Sequence, residues 1–177
     1  MINDRYTRLS DYQNRRYADQ YLSLVQRVKI AENATLSGSS KLVRAVAINA
    51  YQLMAYKDEY EVARLYTNGK FMQKLKETFE GNVKLQFHLA PPIFSRPNHA
   101  GVTKKMLFGG WVYPLFNILA QFKFLRGTVF DVFGYNVERK TERASIKKYL
   151  ATVDVLLKDL RSDNIALASK IAALPAD

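Results

Sequence analysis

Apolar residues recur at intervals of three and four positions along most of the chain, which is the spacing of one face of an α-helix. A first helix is predicted to start at Ser10, because Ser10 and Gln13 have the types and the spacing of a capping box. A second is predicted to start at Ser39 or Ser40, and since it is apolar on nearly all sides we expect it at the centre of the core. The two stripes consist of Tyr17, Tyr21, Leu24, Val25 and Val28, and of Leu42, Val43, Val46, Ala50, Leu53 and Met54.

Two shorter helices are predicted next, separated by the helix-ending pair Asn68-Gly69. In the first of them Glu61 precedes Arg64 by three positions, so the two side chains are expected to form an ion pair. Asp58, Glu59 and Glu61 also stand close together, as paired catalytic carboxylates can. Consecutive helical positions point in different directions, however, so we favour a solvated or structural role for them.

The segment Val83–Leu89 alternates apolar and polar residues, which is the pattern of a β-strand with one buried face. Pro91-Pro92 ends this strand, because proline cannot donate a hydrogen bond to a neighbouring strand. From there to about Lys105 the sequence has no period, which predicts a long loop containing proline and glycine. An active-site loop, a phosphate cradle and a linker are alternatives; we interpret the segment as a structured crossing loop.

The stretch Met106–Phe122 carries no charge and barely reaches the length of about 17 residues that a membrane span requires. Its glycines, its amides and Pro114 weaken that interpretation further. A buried helix beginning at Trp111 is therefore predicted, with an apolar face that consists of Leu115, Ile118, Leu119 and Phe122.

A long helix is predicted from about Val137, and Ser162 or Asp163 is expected to cap a last helix. The apolar stripes of these helices consist of Ile146, Leu150, Val153, Leu157 and Leu160, and of Leu167, Ile171 and Leu174. Taken together, the patterns predict a mainly α chain with about six or seven helices, one short extended segment and the long loop. We expect residues 1–177 to form a single domain.

The chain carries 27 Lys and Arg against 16 Asp and Glu, a net charge of +11. Such a surplus attracts anionic partners, among them nucleic acid, acidic lipid and acidic protein. The basic residues form no run longer than a pair, as in Arg15-Arg16, Lys104-Lys105 and Lys147-Lys148, so we favour a dispersed, solvated surface. The absence of cysteine excludes disulfides, thiolate nucleophiles and cysteine-ligated zinc or iron–sulfur clusters, and it fits a reducing compartment.

Residue types and spacings indicate no catalytic, cofactor-binding or metal-binding site. The two histidines, His88 and His99, do not have the spacing of a metal site. No glycine-rich phosphate loop and no nucleophile motif is present in the sequence. Gly109-Gly110 is a weak phosphate signal, which we interpret as a tight turn into Trp111.

Charged residues cluster where a loop is predicted to meet the long helix. We interpret this cluster as a structural charge network, with a role at an interface as the alternative. We expect Arg126 and Asp131 to hold the turn between them against the start of the long helix. The cluster consists of Arg126, Asp131, Glu138, Arg139, Glu142 and Arg143, and the pair Glu61 and Arg64 is given the same structural role.

Three long stretches, in this order, resemble one protein family: YKDEYEVARLYTNGKF (Tyr56–Phe71), FEGNVKLQFHLAPP (Phe79–Pro92) and LRGTVFDVFGYNVERKTER (Leu125–Arg143). They resemble the carboxy-terminal domain of long, fused, single-chain bacterial indolepyruvate ferredoxin oxidoreductases, a domain with no assigned function of its own. The resemblance extends from about Leu9 to Pro175, and Val132 departs from it where proline is expected. It implies that the chain is a domain excised from the carboxy-terminus of a larger oxidoreductase.

The resemblance implies a cytoplasmic parent enzyme that decarboxylates aryl 2-oxoacids on thiamine diphosphate and passes electrons through [4Fe-4S] clusters to ferredoxin, forming an acyl-CoA. No cluster cysteine and no diphosphate-binding motif of such enzymes maps onto this chain. No cofactor is therefore expected in the chain itself, and the parent is the enzyme.

Two functions follow as hypotheses. The favoured one is a non-catalytic accessory domain, which contacts other domains of the parent and whose basic residues steer an acidic ferredoxin. Its candidate interaction surface consists of Arg15, Arg16, Lys104 and Lys105. The alternative is an independent basic module for nucleic acid or anionic membrane, although no helix-turn-helix, zinc-finger or RNA-binding motif is present in the sequence.

Overall fold

The structure is a computed structural model that describes residues 1–81, 83–89 and 106–174. The described residues are mainly α, as the periodicity predicts. They form the helices α1 (Ile2–Tyr12), α2 (Arg15–Thr35), α3 (Lys41–Met54), α4 (Glu59–Thr67), α5 (Lys70–Thr78), α6 (Val112–Gln121), α7 (Val137–Lys158) and α8 (Ile165–Ala173), the strands β1 (Gln86–Leu89) and β2 (Met106–Gly109), and a 3-10 helix, Phe122–Leu125.

The helix α1 was not among the predicted helices, and its presence corrects the predicted start of the first helix at Ser10. Ser10 does not cap a helix, since its hydroxyl donates to the carbonyl of Tyr6 one turn earlier (3.0 Å) within α1. The true cap is Asn14, whose side chain accepts a hydrogen bond from the amide of Tyr17 (2.9 Å) at the start of α2. The spacing of Ile2, Tyr6 and Leu9 is the local sequence signal of α1.

The chain divides into two compact units. One consists of Met1–Tyr56 and Val137–Asp177, and the other is Lys57–Asn136. The expectation of a single domain stays a prediction.

In the first unit α3 is central, as its all-round apolar sequence predicts, and it contacts α1, α2, α7 and α8. Three tyrosines of α2 and α7 donate hydrogen bonds to backbone carbonyls of α3 and α8. Tyr17 bonds Met54 (3.0 Å), Tyr21 bonds Ala47 (3.1 Å) and Tyr149 bonds Ala172 (2.8 Å). The buried core consists of Leu9, Ala18, Tyr21, Leu24, Val25, Val28, Leu42, Val46, Ala47, Ala50, Met54, Tyr149, Val153, Ala168 and Ala172.

The last helix, α8, buries a different face from the predicted one. It begins after Asn164, and its inward residues are Ile165, Ala168 and Ala172. Leu167 and Leu174 are exposed instead. Alanines face inward because α8 packs closely along α3, where a larger side chain would separate the two backbones.

In the second unit α4 packs along α6, next to the hairpin of β1 and β2. Phe87, in the predicted strand, pairs with Phe108 in an antiparallel register and lies buried. The rings of Tyr66, Phe87 and Phe116 meet with centroids 5.2–5.4 Å apart. Aromatic packing of this kind adds to the burial of apolar area and forms the small core of the unit.

The uncharged stretch Met106–Phe122 is not one buried helix. Its first residues form β2, and α6 begins at Val112, where Pro114 is tolerated because the first amides of a helix lack intrahelical partners. Val112 and Phe116 are the residues of α6 that are buried, whereas Leu115, Ile118 and Phe122 of the predicted inner face are exposed. Within the described ranges, no helix combines the length and the apolar composition needed to cross a membrane. The predicted proline- and glycine-containing loop, together with His99, lies outside the described residues.

Candidate functional site

Asp58 and Arg126 form a buried ion pair within the Lys57–Asn136 unit. The guanidinium of Arg126 donates from Nε to Oδ2 (2.5 Å) and from Nη2 to Oδ1 (2.8 Å), although 68 residues separate the two. Oδ1 also accepts the backbone amide of Glu61 (2.8 Å), which makes Asp58 the N-cap of α4. Asp58 and Arg126 are 3% and 5% exposed, so the pair is withdrawn from water.

Asp131 adds a second buried carboxylate to this group. It accepts hydrogen bonds from the hydroxyl of Tyr60 (3.2 Å) and from the amides of Gly127 (2.8 Å) and Gly134 (3.0 Å). Gly127 has φ +75°, a conformation that favours glycine and lets the chain turn around the carboxylate. Burial, followed by the neighbouring Asp131 and Asp58 carboxylates, raises the pKa of Tyr60 well above its ordinary value. Tyr60 therefore serves as a hydrogen-bond donor.

These contacts favour a structural role for the group. The oxygens of Asp58 and Asp131 all accept hydrogen bonds from within the unit, and Arg126 lies over the ring of Tyr60, with its Cζ 5.6 Å from the centroid. A group arranged in this way stabilises the fold, because each buried charge is matched by an opposite charge or by donors.

The structure divides the predicted charge network between the two units. Arg139, at the start of α7, donates to Glu142 (2.5 Å), lies 4.0 Å from Glu138 and has its Cζ 5.8 Å from the ring centroid of Tyr56. These four residues belong to the first unit, whereas Arg126 and Asp131 belong to the second. The predicted attachment of the Arg126–Asp131 turn to the start of the long helix stays a prediction.

The ion pair of Glu61 and Arg64 is confirmed. Arg64 donates from Nε and Nη2 to the two carboxylate oxygens, both at 2.8 Å, in the bidentate geometry that guanidinium groups favour. Glu61 is buried at the start of α4, where the positive end of the helix dipole also favours a carboxylate.

Of the candidate interaction residues, Arg15 and Arg16 are exposed at the start of α2. The guanidinium of Arg15 donates to the hydroxyl of Tyr6 (3.3 Å), which in turn donates to Asp19 (2.8 Å). Lys104 and Lys105 lie outside the described residues.

No group of three or more His, Asp or Glu side chains in the described parts of the chain could hold a metal ion. His88 lies exposed on β1, with its side chain on the face opposite that of Phe87. Gly109 comes close to the ring of Trp111, since a Cβ at Gly109 would lie 3.3 Å from Trp111 Cδ1. That close approach agrees with a tight turn into Trp111.

Glu32 is a buried carboxylate that the sequence interpretation missed. It is 1% exposed near the end of α2, and it accepts hydrogen bonds from the hydroxyl of Ser39 (2.6 Å) and the amides of Leu42 (3.0 Å) and Val43 (2.8 Å). It therefore caps α3 in place of Ser40, which makes no side-chain cap. Burial raises the pKa of Glu32, but the hydrogen bonds from Ser39 and the α3 amides outweigh it and leave the pKa below its ordinary value.

The second unit also has an exposed apolar surface, of which the sequence interpretation placed Leu115, Ile118 and Phe122 in the core. It consists of Trp111, Leu115, Ile118, Phe122 and Phe124, which follow one side of α6 and the 3-10 helix. Trp111 is 65% exposed and Phe124 60%. The spacing of its first four members, 4, 3 and 4 positions, is that of a helix face that packs against another helix.

Replacing Asp131 with alanine is expected to lower the free energy of unfolding by about 1–3 kcal/mol, because three donors would lose their buried acceptor. Chemical denaturation followed by the fluorescence of Trp111 measures the change in the same unit. Asp163→Ala, at a highly exposed aspartate of the first unit, is the control; followed by circular dichroism, it should change the free energy of unfolding by less than about 0.5 kcal/mol. Equal stability of Asp131→Ala and the unaltered chain would contradict the structural role.

Comparison with known proteins places the whole chain in one family. A family model described as a family of unknown function, DUF6537, matches residues 1–177. No curated protein matches the chain. No solved structure matches it either.

Proposed function

This chain belongs to the DUF6537 family, and we propose that it is a non-catalytic interaction domain that binds other domains of a larger oxidoreductase. The observation that carries this proposal is the apolar surface on α6 and the 3-10 helix. Monomeric proteins rarely expose large apolar side chains side by side, and such a patch usually marks a protein interface.

The composition of the apolar surface supports contact with protein. From Trp111 to Asn136 the charged residues are Lys123, Arg126 and Asp131, and the last two are buried in the group around Asp58. Aromatic residues are enriched and charges depleted at the cores of protein interfaces. Among the described residues, more large apolar side chains are exposed in Lys57–Asn136 than in the longer first unit.

The identity of the larger protein rests on the resemblance of the three sequence stretches. We propose a cytoplasmic indolepyruvate-type 2-oxoacid:ferredoxin oxidoreductase, with thiamine diphosphate and [4Fe-4S] clusters bound by its other domains. The buried carboxylates of this chain serve its stability, and the reaction takes place elsewhere in the parent. The exposed Arg15 and Arg16, with Lys104 and Lys105, help to attract an acidic ferredoxin through long-range charge.

The identity of the parent is tested with an antibody raised against the chain. In cells that express the gene from its own locus, we expect the antibody to recognise a polypeptide much larger than 20.3 kDa. The same polypeptide should contain iron and should reduce an electron acceptor when an aryl 2-oxoacid and coenzyme A are supplied. A native polypeptide of 20.3 kDa without iron would contradict the proposal and favour an independent basic module.

The role of the apolar surface is tested by replacing Leu115 and Ile118 with serine. When the remaining domains of the parent are co-expressed as a separate chain, we expect the double variant to co-purify with them at least about tenfold less, because desolvated apolar anchors dominate binding. Its melting temperature should stay close to that of the unaltered chain, since both side chains are exposed.

The matched control replaces Ile30 and Leu167, which are exposed apolar residues of the first unit, with serine. It should co-purify as well as the unaltered chain. Equal retention of the Leu115/Ile118 variant would show that the apolar surface does not bind the parent.

A further inference from the structure

A stripe of lysines separated by small apolar residues follows the exposed side of α7. Its members are spaced 4, 3, 4, 4 and 3 positions apart, so they lie in one line along the helix. At a rise of about 1.5 Å per residue, its lysines lie about 10 and 16 Å apart along the axis. The lysine stripe consists of Lys140, Ala144, Lys147, Ala151, Val155 and Lys158, all exposed.

The helix itself does not neutralise this stripe. A carboxylate three or four positions away would pair with a lysine on the same face. Around Lys140 and Lys147 those positions hold Asn136, Val137, Arg143, Ala144, Leu150 and Ala151, none of which is acidic.

Two acidic residues close to the stripe, Asp154 and Glu142, are already engaged. Asp154, four positions before Lys158, accepts a hydrogen bond from Arg27 of α2 (2.9 Å). Glu142 is bound by Arg139 (2.5 Å). Asp159 is exposed beside Lys158 and follows the end of α7. In the described residues, Lys140, Lys147 and Lys158 form no ion pair.

We propose that the lysine stripe is a docking surface for an acidic helix of a partner protein. Ala144 and Ala151 leave room for a second helix to approach at about 8–10 Å between axes. Carboxylates along one face of that helix would then reach the three lysines. The partner chemistry follows from the stripe alone and holds whether or not the chain is part of an oxidoreductase.

The stripe fits an acidic protein better than a membrane or a nucleic acid. Helices that lie on membranes carry large apolar side chains that enter the lipid, whereas the apolar members here are two alanines and a valine. Phosphates along one nucleic-acid strand follow each other every ~3.4 Å, so lysines spaced this widely would meet few of them. The stripe also has no aromatic residue on which a base could stack.

The probe for the stripe is a helical peptide as long as α7 that carries its glutamates along one face. A second peptide has the same composition, but its glutamates are spread around the helix. Amide chemical shifts of the full chain are recorded while each peptide is added at low salt. We expect shifts concentrated between Lys140 and Lys158, and about tenfold tighter binding of the one-faced peptide.

Lys140, Lys147 and Lys158 are then replaced together by glutamate. We expect binding of the one-faced peptide to be lost, whereas a matched triple reversal at the exposed Lys29, Lys74 and Lys170 should reduce binding by no more than about twofold. Equal losses in the two triple variants would mean that net charge alone acts, and would overturn the assignment to the stripe.

The two alternative partners, a membrane and a nucleic acid, are tested in parallel with vesicles of one-third phosphatidylserine and with duplex DNA. If either binds the lysine stripe more tightly than the one-faced peptide does, the proposal of an acidic protein partner is wrong. If both bind more weakly and independently of the stripe lysines, the proposal is supported.

Discussion

Replacing Asp58 with alanine is expected to lower the free energy of unfolding of the Lys57–Asn136 unit by about 3–5 kcal/mol. The change leaves the guanidinium of Arg126 buried without its counter-charge, which costs far more than the loss of an exposed pair. It also removes the N-cap of α4, because the amide of Glu61 loses its acceptor.

The chain offers a direct way to measure this effect. Its one tryptophan, Trp111, lies in the same unit, so its fluorescence during denaturation follows that unit, whereas far-ultraviolet circular dichroism follows both. Asp4→Ala, followed by circular dichroism, is the control, since its ion pair with Arg8 lies in the first unit, is exposed and should contribute little to stability.

A double variant separates the cost of the unpaired charge from the value of the pair. We combine Asp58→Ala with Arg126→Met. The double variant should lose less free energy of unfolding than the two single variants lose together, because no uncompensated charge remains. Additive single effects, or an Asp58→Ala cost no greater than that of Asp4→Ala, would contradict the buried-pair explanation.

Replacing Glu32 with glutamine is expected to lower the free energy of unfolding of the first unit by about 2–4 kcal/mol at neutral pH. The carboxylate accepts hydrogen bonds from a hydroxyl and from amides of α3, and hydrogen bonds to a charged acceptor are each worth about 1.5–3 kcal/mol. Glutamine has nearly the same shape, but its amino group would face one of these donors.

The effect of Glu32→Gln should depend on pH in a defined direction. Because the pKa of Glu32 is depressed in the folded chain, its stabilisation is complete above the ordinary value of 4.5 and is lost as the pH falls below it. The stability difference between the unaltered chain and the variant should therefore shrink as the pH is lowered from 6 toward 3.

Denaturation followed by circular dichroism at several pH values measures this difference. Glu138→Gln, at a largely exposed glutamate of the same unit, is the control and should have a small effect at every pH. A constant difference between the unaltered chain and Glu32→Gln across the pH range would mean that the charge of Glu32 does not cap α3.

Much of the secondary structure could be predicted because its signals are local. The stripe of Tyr21, Leu24 and Val28 identified α2, and Asn68-Gly69 marked the break between α4 and α5. The pair of Glu61 and Arg64 followed from helical spacing alone. In each case the residues concerned lie within one or two helical turns of one another.

The wrong predictions of buried faces occurred in α6 and α8, where two apolar faces competed. α6 has apolar residues on two sides, and only its packing on α4 selects Val112 and Phe116 for burial over Leu115 and Ile118. In α8 the most apolar residue pattern pointed to Leu167, but close packing on α3 favours Ala168. A sequence pattern ranks residues by hydrophobicity, whereas packing also selects them by size.

The sequence by itself determined that the chain is mainly α, where most helices lie, and that cysteine chemistry is excluded, because composition and short-range periodicity carry that information. Only the tertiary structure decided that Arg126 pairs with Asp58, that Glu32 caps α3, and that one face of α6 and one stripe of α7 are exposed. These features depend on residues far apart in sequence or on which of several helix faces meets a neighbour, and neither leaves a local signal along the chain.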